Sequence, residues 1–184
     1  MKDISLHILD LVQNSISASA SLVEIYISEM VDEKILKVCL NDNGKGMSKT
    51  QADQALDPFF TTRTTRKVGL GLPLFKAQAE ASGGSLSLSS QKGKGTKIKA
   101  IFKTDHIDCL PLGNMAETIV SLILCNPELD FIYRHIYNGR EFTFNTMNIK
   151  AMLDEISITE IEVITWIKTY ISENLKGLYG GVSI

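Results

Sequence analysis

The chain has 184 residues, 44% of them hydrophobic, and a formal net charge of −2 at pH 7. This is enough for one domain with a substantial core and a small additional unit. The weak negative charge gives no reason to expect binding to nucleic acid or to a membrane surface. No apolar run approaches the length that spans a bilayer, and the first residues lack a secretory signal. Three scattered cysteines favour reduced thiols, so we expect a cytoplasmic protein.

Helix and strand patterns alternate over the first hundred residues. The spacing predicts helices over 5–18, 48–56 and from Pro73 to Gly83, and strands over 22–28, 35–40, 85–90 and 96–102. Ser5 is the predicted N-cap of the first helix, whose predicted apolar stripe is Leu6, Leu9, Val12 and Ile16. Residues 61–68 lack periodicity and are predicted to form a loop. This order predicts an α/β fold, a two-layer sandwich with helices on one face of the sheet.

The pattern changes after about Lys103. Helices are predicted over 112–125, 147–155 and 159–175, and a hairpin over 130–145 with a type I′ turn at Asn138-Gly139. We therefore divide the chain into a first domain, residues 1–103, and an extension, residues 104–184. The last helix carries an apolar stripe, which suits packing on the first domain or, alternatively, a dimer or partner surface: Ile161, Ile164, Ile167, Ile171 and Leu175, with Trp166 and Tyr170 beside them.

Two polar residues on the first helix lie four positions apart and therefore share one face: Asp10 and Asn14. A phosphate-bound Mg²⁺ needs few protein oxygens, and the amide of Asn14 suffices as a direct ligand. Asp10 could hold a metal-bound water or polarise an attacking nucleophile. Taken alone, the pair is more typical of a solvated helix face.

The segment Asp42-Asn-Gly44-Lys-Gly46-Met47 follows an apolar strand. A carboxylate at a strand end can accept a hydrogen bond from the exocyclic amine of adenine. The two glycines allow the backbone to approach the flat base, and Met47 could pack on the ring. The alternative is an ordinary turn.

A second glycine segment, Gly69-Leu-Gly71-Leu-Pro73, precedes a helix whose free N–H groups could hold phosphate. Arg63, Arg66 and Lys67 come just before it and could reach the β- or γ-phosphate, although a solvated basic loop has the same composition. The hydroxyl of Thr96 could contact the adenine edge or the water beside Asp42.

Together these motifs resemble the ATP-binding domain of the GHKL superfamily. Residues 10–20 resemble its N box, 42–47 its first glycine box, 57–63 the F box of histidine kinases, 69–72 its second glycine box, and 93–96 its closing motif. The resemblance covers about residues 5–102 and implies the Bergerat fold, with Mg²⁺ and ATP beneath a flexible lid. It also implies nucleotide contacts from Phe59, Thr62, Arg63, Lys67, Gly69, Leu70, Gly71, Leu72 and Thr96.

The departures from the family pattern bear on activity. Asp10 stands where the ATPases usually carry Glu, which puts direct general-base action in doubt. We expect no phosphoacceptor helix before the N box. The residues around His7 lack the His-Glu/Asp-x-x-x-Pro pattern of such a helix. We therefore expect transfer of the γ-phosphate to a protein partner in trans. The alternatives are an ATP-hydrolysing conformational switch and a non-catalytic nucleotide-sensing module. We expect a protein substrate or regulatory partner and no nucleic acid or membrane, with a homodimer formed through the extension as an alternative.

Overall fold

The computed structural model describes residues 2–57 and 71–181. Of the predicted site residues, Phe59, Thr62, Arg63, Lys67, Gly69 and Leu70 lie outside these ranges, as do the predicted loop and its Arg66. The elements, in chain order, are α1 (Ile4–Ser17), β1 (Leu22–Met30), β2 (Ile35–Asp42), α2 (Lys49–Gln54), α3 (Gly71–Ala81), β3 (Ser85–Gln91), β4 (Gly95–Lys103), α4 (Met115–Cys125), β5 (Asp130–Tyr137), β6 (Arg140–Asn145), α5 (Thr146–Leu153) and α6 (Ile161–Leu178).

The strands form one six-stranded sheet in the order β3-β4-β2-β1-β5-β6. Neighbouring strands are antiparallel except β1 and β5, which are parallel. Val23, Ile25 and Ile27 alternate along β1 and are buried, as a strand with one face on a core requires. The predicted α/β sandwich is confirmed.

One apolar core joins the inner face of the sheet to α1, α3, α4 and α6. Phe75 of α3, Phe102 of β4 and Phe131 of β5 are fully buried within it. Burial of each such side chain contributes about 1.5–3 kcal/mol, so the core is what fixes the helices above the sheet. No helix in the described ranges is long and apolar enough to cross a membrane. A cytoplasmic location stays a prediction.

Two details of α1 differ from the predictions. Asp3, not Ser5, is the N-cap: its carboxylate accepts from the backbone N–H of Leu6, and Ser5 donates its hydroxyl to Asp3. The apolar stripe is also rotated, because Leu6 is 40% exposed. The buried face is instead made by Ile4, Ser5, His7, Ile8, Leu11, Val12 and Ser15.

The hairpin over 130–145 is present, and its turn residues Asn138 and Gly139 have φ of +46° and +80°. Both values are positive, as a type I′ turn requires. This hairpin continues the sheet of the first hundred residues through the parallel pairing of β5 with β1. The domain division at residue 103 stays a prediction.

The stripe predicted on the last helix is only partly correct. Ile167, Ile171 and Leu175 of α6 are buried, whereas Ile161 is 81% exposed. Trp166 and Tyr170 stack on each other at the surface, with ring centroids 5.1 Å apart. The helix buries one face against α4 and β6, and its first turn extends beyond that contact.

Candidate functional site

Strand register places the predicted adenine-reading residues in one row. Val23 of β1 pairs with Asp42, Asp42 with Thr96 of β4, and Thr96 with Ser90 of β3. Paired residues on adjacent strands point to the same side of a sheet. Asp42, Thr96 and Ser90 therefore lie on the face that the helices cover, at the end of the sheet next to the end of α1.

The carboxylate of Asp42 is held from three directions. Oδ2 accepts from the hydroxyl of Ser15 on α1 at 2.8 Å, and Oδ1 accepts from the backbone N–H groups of Gly44 at 3.0 Å and Thr96 at 3.2 Å. A carboxylate has about four lone-pair positions, so one more acceptor position remains for a ligand donor. The orientation of this remaining position is set by the protein, which suits recognition of the amine of adenine.

Ser90 connects the two glycine-containing turns beside Asp42. Its hydroxyl lies 2.9 Å from that of Thr96, donates to the carbonyl of Gly95 at 2.9 Å, and accepts from the N–H of Met47 at 2.8 Å. The Thr96 hydroxyl is thus fixed by Ser90, while its backbone N–H contacts Asp42. Met47, predicted to pack on the base, is anchored through its backbone.

The glycines of the first glycine segment have a different role from the one predicted. A Cβ on Gly44 would lie 2.8 Å from the carbonyl oxygen of Ala18, and one on Gly46 would lie 2.0 Å from that of Gln91. The missing side chains therefore let residues 43–47 pack between α1 and the β3–β4 hairpin. The close approach that glycine permits here is to protein backbone.

Asp10 lies against the first residue of α3. A Cβ on Gly71 would lie 2.1 Å from Oδ2 of Asp10, so a side chain there would require this carboxylate to move. A negative charge at a helix N-terminus is favoured by the helix dipole. Asn14 is one turn further along α1 on the same face and is exposed. Leu72, predicted as a nucleotide contact, is 7% exposed and belongs to the core.

His7, one turn before Asp10, is buried against Phe75 with ring centroids 5.4 Å apart. Burial lowers the pKa of His7, and its Nδ1 has no hydrogen-bond partner within the described part of the chain. It is held in the wall of the site in its neutral form.

Two of the residues that build this arrangement were missed by the sequence interpretation: Ser15 and Ser90. Serine is common in α1 and β3, and neither position stands out by spacing. Only the register across β2, β4 and β3, together with the position of α1 above it, brings these hydroxyls to Asp42 and Thr96.

An open depression of about 230 Å³ lies at this end of the sheet, and its lining includes Asn41 and Lys97 of the opposite face beside Asp42, Ser90 and Thr96. On the helix-covered face, the fixed carboxylate of Asp42 and the neighbouring hydroxyl groups fit a nucleobase edge. Within the described residues, no group of three or more His, Cys, Asp or Glu could hold a metal ion. The amide of Asn14 fits a single ligand to a phosphate-bound cation, whose other ligands would be phosphate and water oxygens.

The fold and the site define an α/β sandwich with a candidate nucleotide-binding end formed by α1, β2 and β4. Residues 2–106 match the family model described as "Histidine kinase-, DNA gyrase B-, and HSP90-like ATPase". Since this match covers more than half of the chain, the chain belongs to that family, the GHKL superfamily, and contains its ATP-binding domain.

Individual relatives agree with this assignment. The chain is similar to the cell-division control histidine kinase PdhS of Brucella ovis, at 30% identity over 115 residues, and to that of Brucella canis, at 32%. Each match covers 54% of this chain and 11% of the kinase. The chain thus spans about a tenth of the length of these curated relatives. A solved structure, the N-terminal domain of a DNA repair protein, shares the fold with a TM-score of 0.56 at 17% identity, covering 80% of this chain and 53% of that one.

Proposed function

We propose that this protein binds ATP with Mg²⁺ and transfers the γ-phosphate to a protein partner in trans. The observation that carries the proposal is the fixed carboxylate of Asp42, held by Ser15, Gly44 and Thr96 at the end of the helix that bears Asp10 and Asn14. The similarity of this chain to histidine kinases supports the interpretation that it is a kinase.

Each side chain has a separate role in this proposal. Asp42 accepts from the adenine amine, and Thr96 fixes one edge of the same pocket. Asn14 supplies one amide oxygen to the metal ion. Asp10 would orient and polarise the acceptor group, or would hold a water molecule bound to the metal ion. ATP supplies the phosphoryl group when it is bound, and catalysis by the protein then depends on positioning and charge.

The placement of two histidines supports an acceptor on another protein. His7 is 5% exposed and packs against Phe75, and His135 is fully buried. Transfer requires in-line geometry between the acceptor atom and the γ-phosphate, and a side chain fixed in the core cannot reach it. His106 is exposed, in a turn after β4.

The test is incubation with γ-labelled ATP and Mg²⁺, first of the purified protein and then with added cell extract. The proposal expects no acid-labile label on the protein itself and a labelled protein in the extract, lost in the Asp42→Asn variant. Released phosphate without a labelled protein would favour the conformational switch. Neither product, with ATP still bound, would favour the sensing module. Strong self-labelling that disappears in His7→Ala would overturn transfer in trans.

A further inference from the structure

The sheet has a second face, opposite the helix-covered core. Register aligns Lys99, Cys39, Tyr26 and Arg134 in one row across β4, β2, β1 and β5. Cys39 is 7% exposed, whereas Lys99 and Tyr26 are half-buried and Arg134 is exposed. The half-buried and exposed side chains of this row show that solvent reaches this open face.

A group of lysines lies at the centre of the open face, on β2 and β4: Lys37, Lys97 and Lys99, which we call the basic patch. Burial raises the pKa of the Cys39 thiol, and the positive charges of all three lysines act to lower it. Within the described residues, none of the three makes an ion pair. The patch is therefore a positive surface whose three lysines make no direct ion pair within the described residues, on a chain whose net charge is −2.

Two acids lie on or next to the strands of the basic patch: Asp42 of β2 is on the opposite, helix-covered face, and Glu24 of β1 is on the open face and accepts from the amide of Asn41. The remaining open-face positions of β2, β3 and β4 between residues 35 and 101 are hydroxyl, amide, thiol or apolar groups, including exposed serines on the edge strand β3: Ser85, Ser87 and Ser89. Ile35 and Ile101 are half-buried. The open face around the basic patch is therefore polar and accessible to solvent.

The aromatic group on this face is not available as a base-stacking platform. Lys37 Nζ lies 5.6 Å and Arg134 Cζ 5.7 Å from the centroid of the Tyr26 ring, and they come from strands on opposite sides of β1. Both distances are within cation–π range. Proteins that bind single-stranded nucleic acid combine a basic groove with aromatic rings that bases stack on, so this face favours a protein over a nucleic acid.

We propose that the basic patch is a docking surface for an acidic segment of a protein partner. Four strands at about 4.8 Å spacing and about six residues of each give an area of roughly 400 Å². This is at the lower end for protein interfaces, so we expect weak, salt-dependent binding. Lys97 and Asn41 also line a depression to which Asp42 and Thr96 contribute, so the patch adjoins the same end of the sheet as the candidate nucleotide site.

The probe is a fluorescein-labelled poly-L-glutamate peptide, titrated with the full chain and followed by fluorescence anisotropy without nucleotide. The Lys37→Gln/Lys97→Gln/Lys99→Gln variant is expected to bind at least tenfold more weakly. The matched control removes three exposed lysines away from the patch, Lys49→Gln/Lys92→Gln/Lys176→Gln, and is expected to stay within threefold of the wild type. Because no ATP is present, the result does not depend on the proposed phosphate transfer.

Circular dichroism would check that the variants fold. Should the triple variant fail to fold, the fully exposed Lys97→Gln substitution alone is expected to weaken binding about threefold. Equal losses in the patch and control variants would overturn the proposal. Tighter, patch-dependent binding of single-stranded oligo(dT) or of phosphatidylserine vesicles than of poly-L-glutamate would overturn it as well.

Discussion

Gly95 shows how strongly the candidate site depends on one missing side chain. Its φ is +106°, and a Cβ there would lie 1.9 Å from the carbonyl oxygen of Asp42. Gly95→Ala combines backbone strain with overpacking, and we expect a loss of about 3 kcal/mol or more in the free energy of unfolding. Gly93 in the same turn is the control: its φ is +78° but a Cβ would meet nothing within 4 Å. Gly93→Ala should cost only about 1 kcal/mol.

Urea denaturation of both variants measures the difference. Equal losses would mean that the contact between Gly95 and the Asp42 backbone has no energetic role.

His7 makes the free energy of unfolding depend on pH. Burial lowers its pKa below the ordinary 6.5, so the unfolded chain binds the proton first as the pH falls. Stability should therefore decrease below about pH 6.5. In His7→Leu this part of the decrease should vanish, while His106→Gln should leave it in place. Thermal unfolding between pH 7 and 5 provides the comparison, and identical slopes in wild type and His7→Leu would contradict the assignment.

Asn14 is the residue on which the metal proposal depends. Asn14→Ala should remove most of the Mg²⁺ dependence of ATP binding, because its amide oxygen is the proposed direct ligand. Gln13, the exposed amide beside it on α1, is the control, and Gln13→Ala should keep that dependence. Calorimetry with and without Mg²⁺ would distinguish the two variants, and an unchanged metal effect in Asn14→Ala would exclude it from the metal shell.

At the scale of elements, a buried polar cluster attaches the end of α6 to the sheet. Tyr179 donates its hydroxyl to Glu29 of β1, whose carboxylate also lies 2.8 Å from Nε2 of His135. Nδ1 of His135 lies 2.5 Å from the hydroxyl of Tyr133. Burial and the Glu29 carboxylate raise the pKa of Tyr179, so its neutral, donating form is strongly favoured.

Tyr179→Phe should lower the free energy of unfolding by about 1.5 kcal/mol or more, because the bond it removes is made to a charged acceptor. Tyr170→Phe on the same helix is the control, since the Tyr170 ring stacks on Trp166 at the surface. It should cost less than about 0.5 kcal/mol. Chemical denaturation decides between them, and losses of equal size would show that the cluster does not stabilise α6.

Local patterns predicted most of these elements, because apolar alternation and the Asn138-Gly139 turn depend on neighbouring residues only. The buried face of α1 was predicted wrongly because Leu6 and Leu9 are also apolar. The apolar residues alone do not determine which side of the helix faces the sheet. The parallel pairing of β1 with β5 joins residues more than a hundred positions apart. No local signal encodes it, and it depends on the packing of α4 and α6.

At the scale of the whole molecule, the motifs placed Asp10, Asn14, Asp42 and Thr96 at one end of one sheet. Sequence reasoning could propose these residues because each motif follows a recognisable strand or lies on a predicted helix, and their roles stay predictions. It could not find Ser15 and Ser90, whose contacts arise only after the sheet and α1 assemble. The two faces of the sheet have different roles: one holds the core and the nucleotide-binding end, and the other carries the basic patch.

The measurement that tests the central claim most directly is a calorimetric titration with Mg-ATP and Mg-GTP of wild type, Asp42→Asn and the exposed control Asp53→Asn. An amide can present a donor where adenine needs an acceptor. Loss of this hydrogen bond costs about 1.5–3 kcal/mol, roughly ten- to hundredfold in affinity. We expect wild type and Asp53→Asn to prefer ATP, and Asp42→Asn to bind it ten- to hundredfold more weakly. Unchanged ATP affinity and preference in a folded Asp42→Asn protein would contradict the account.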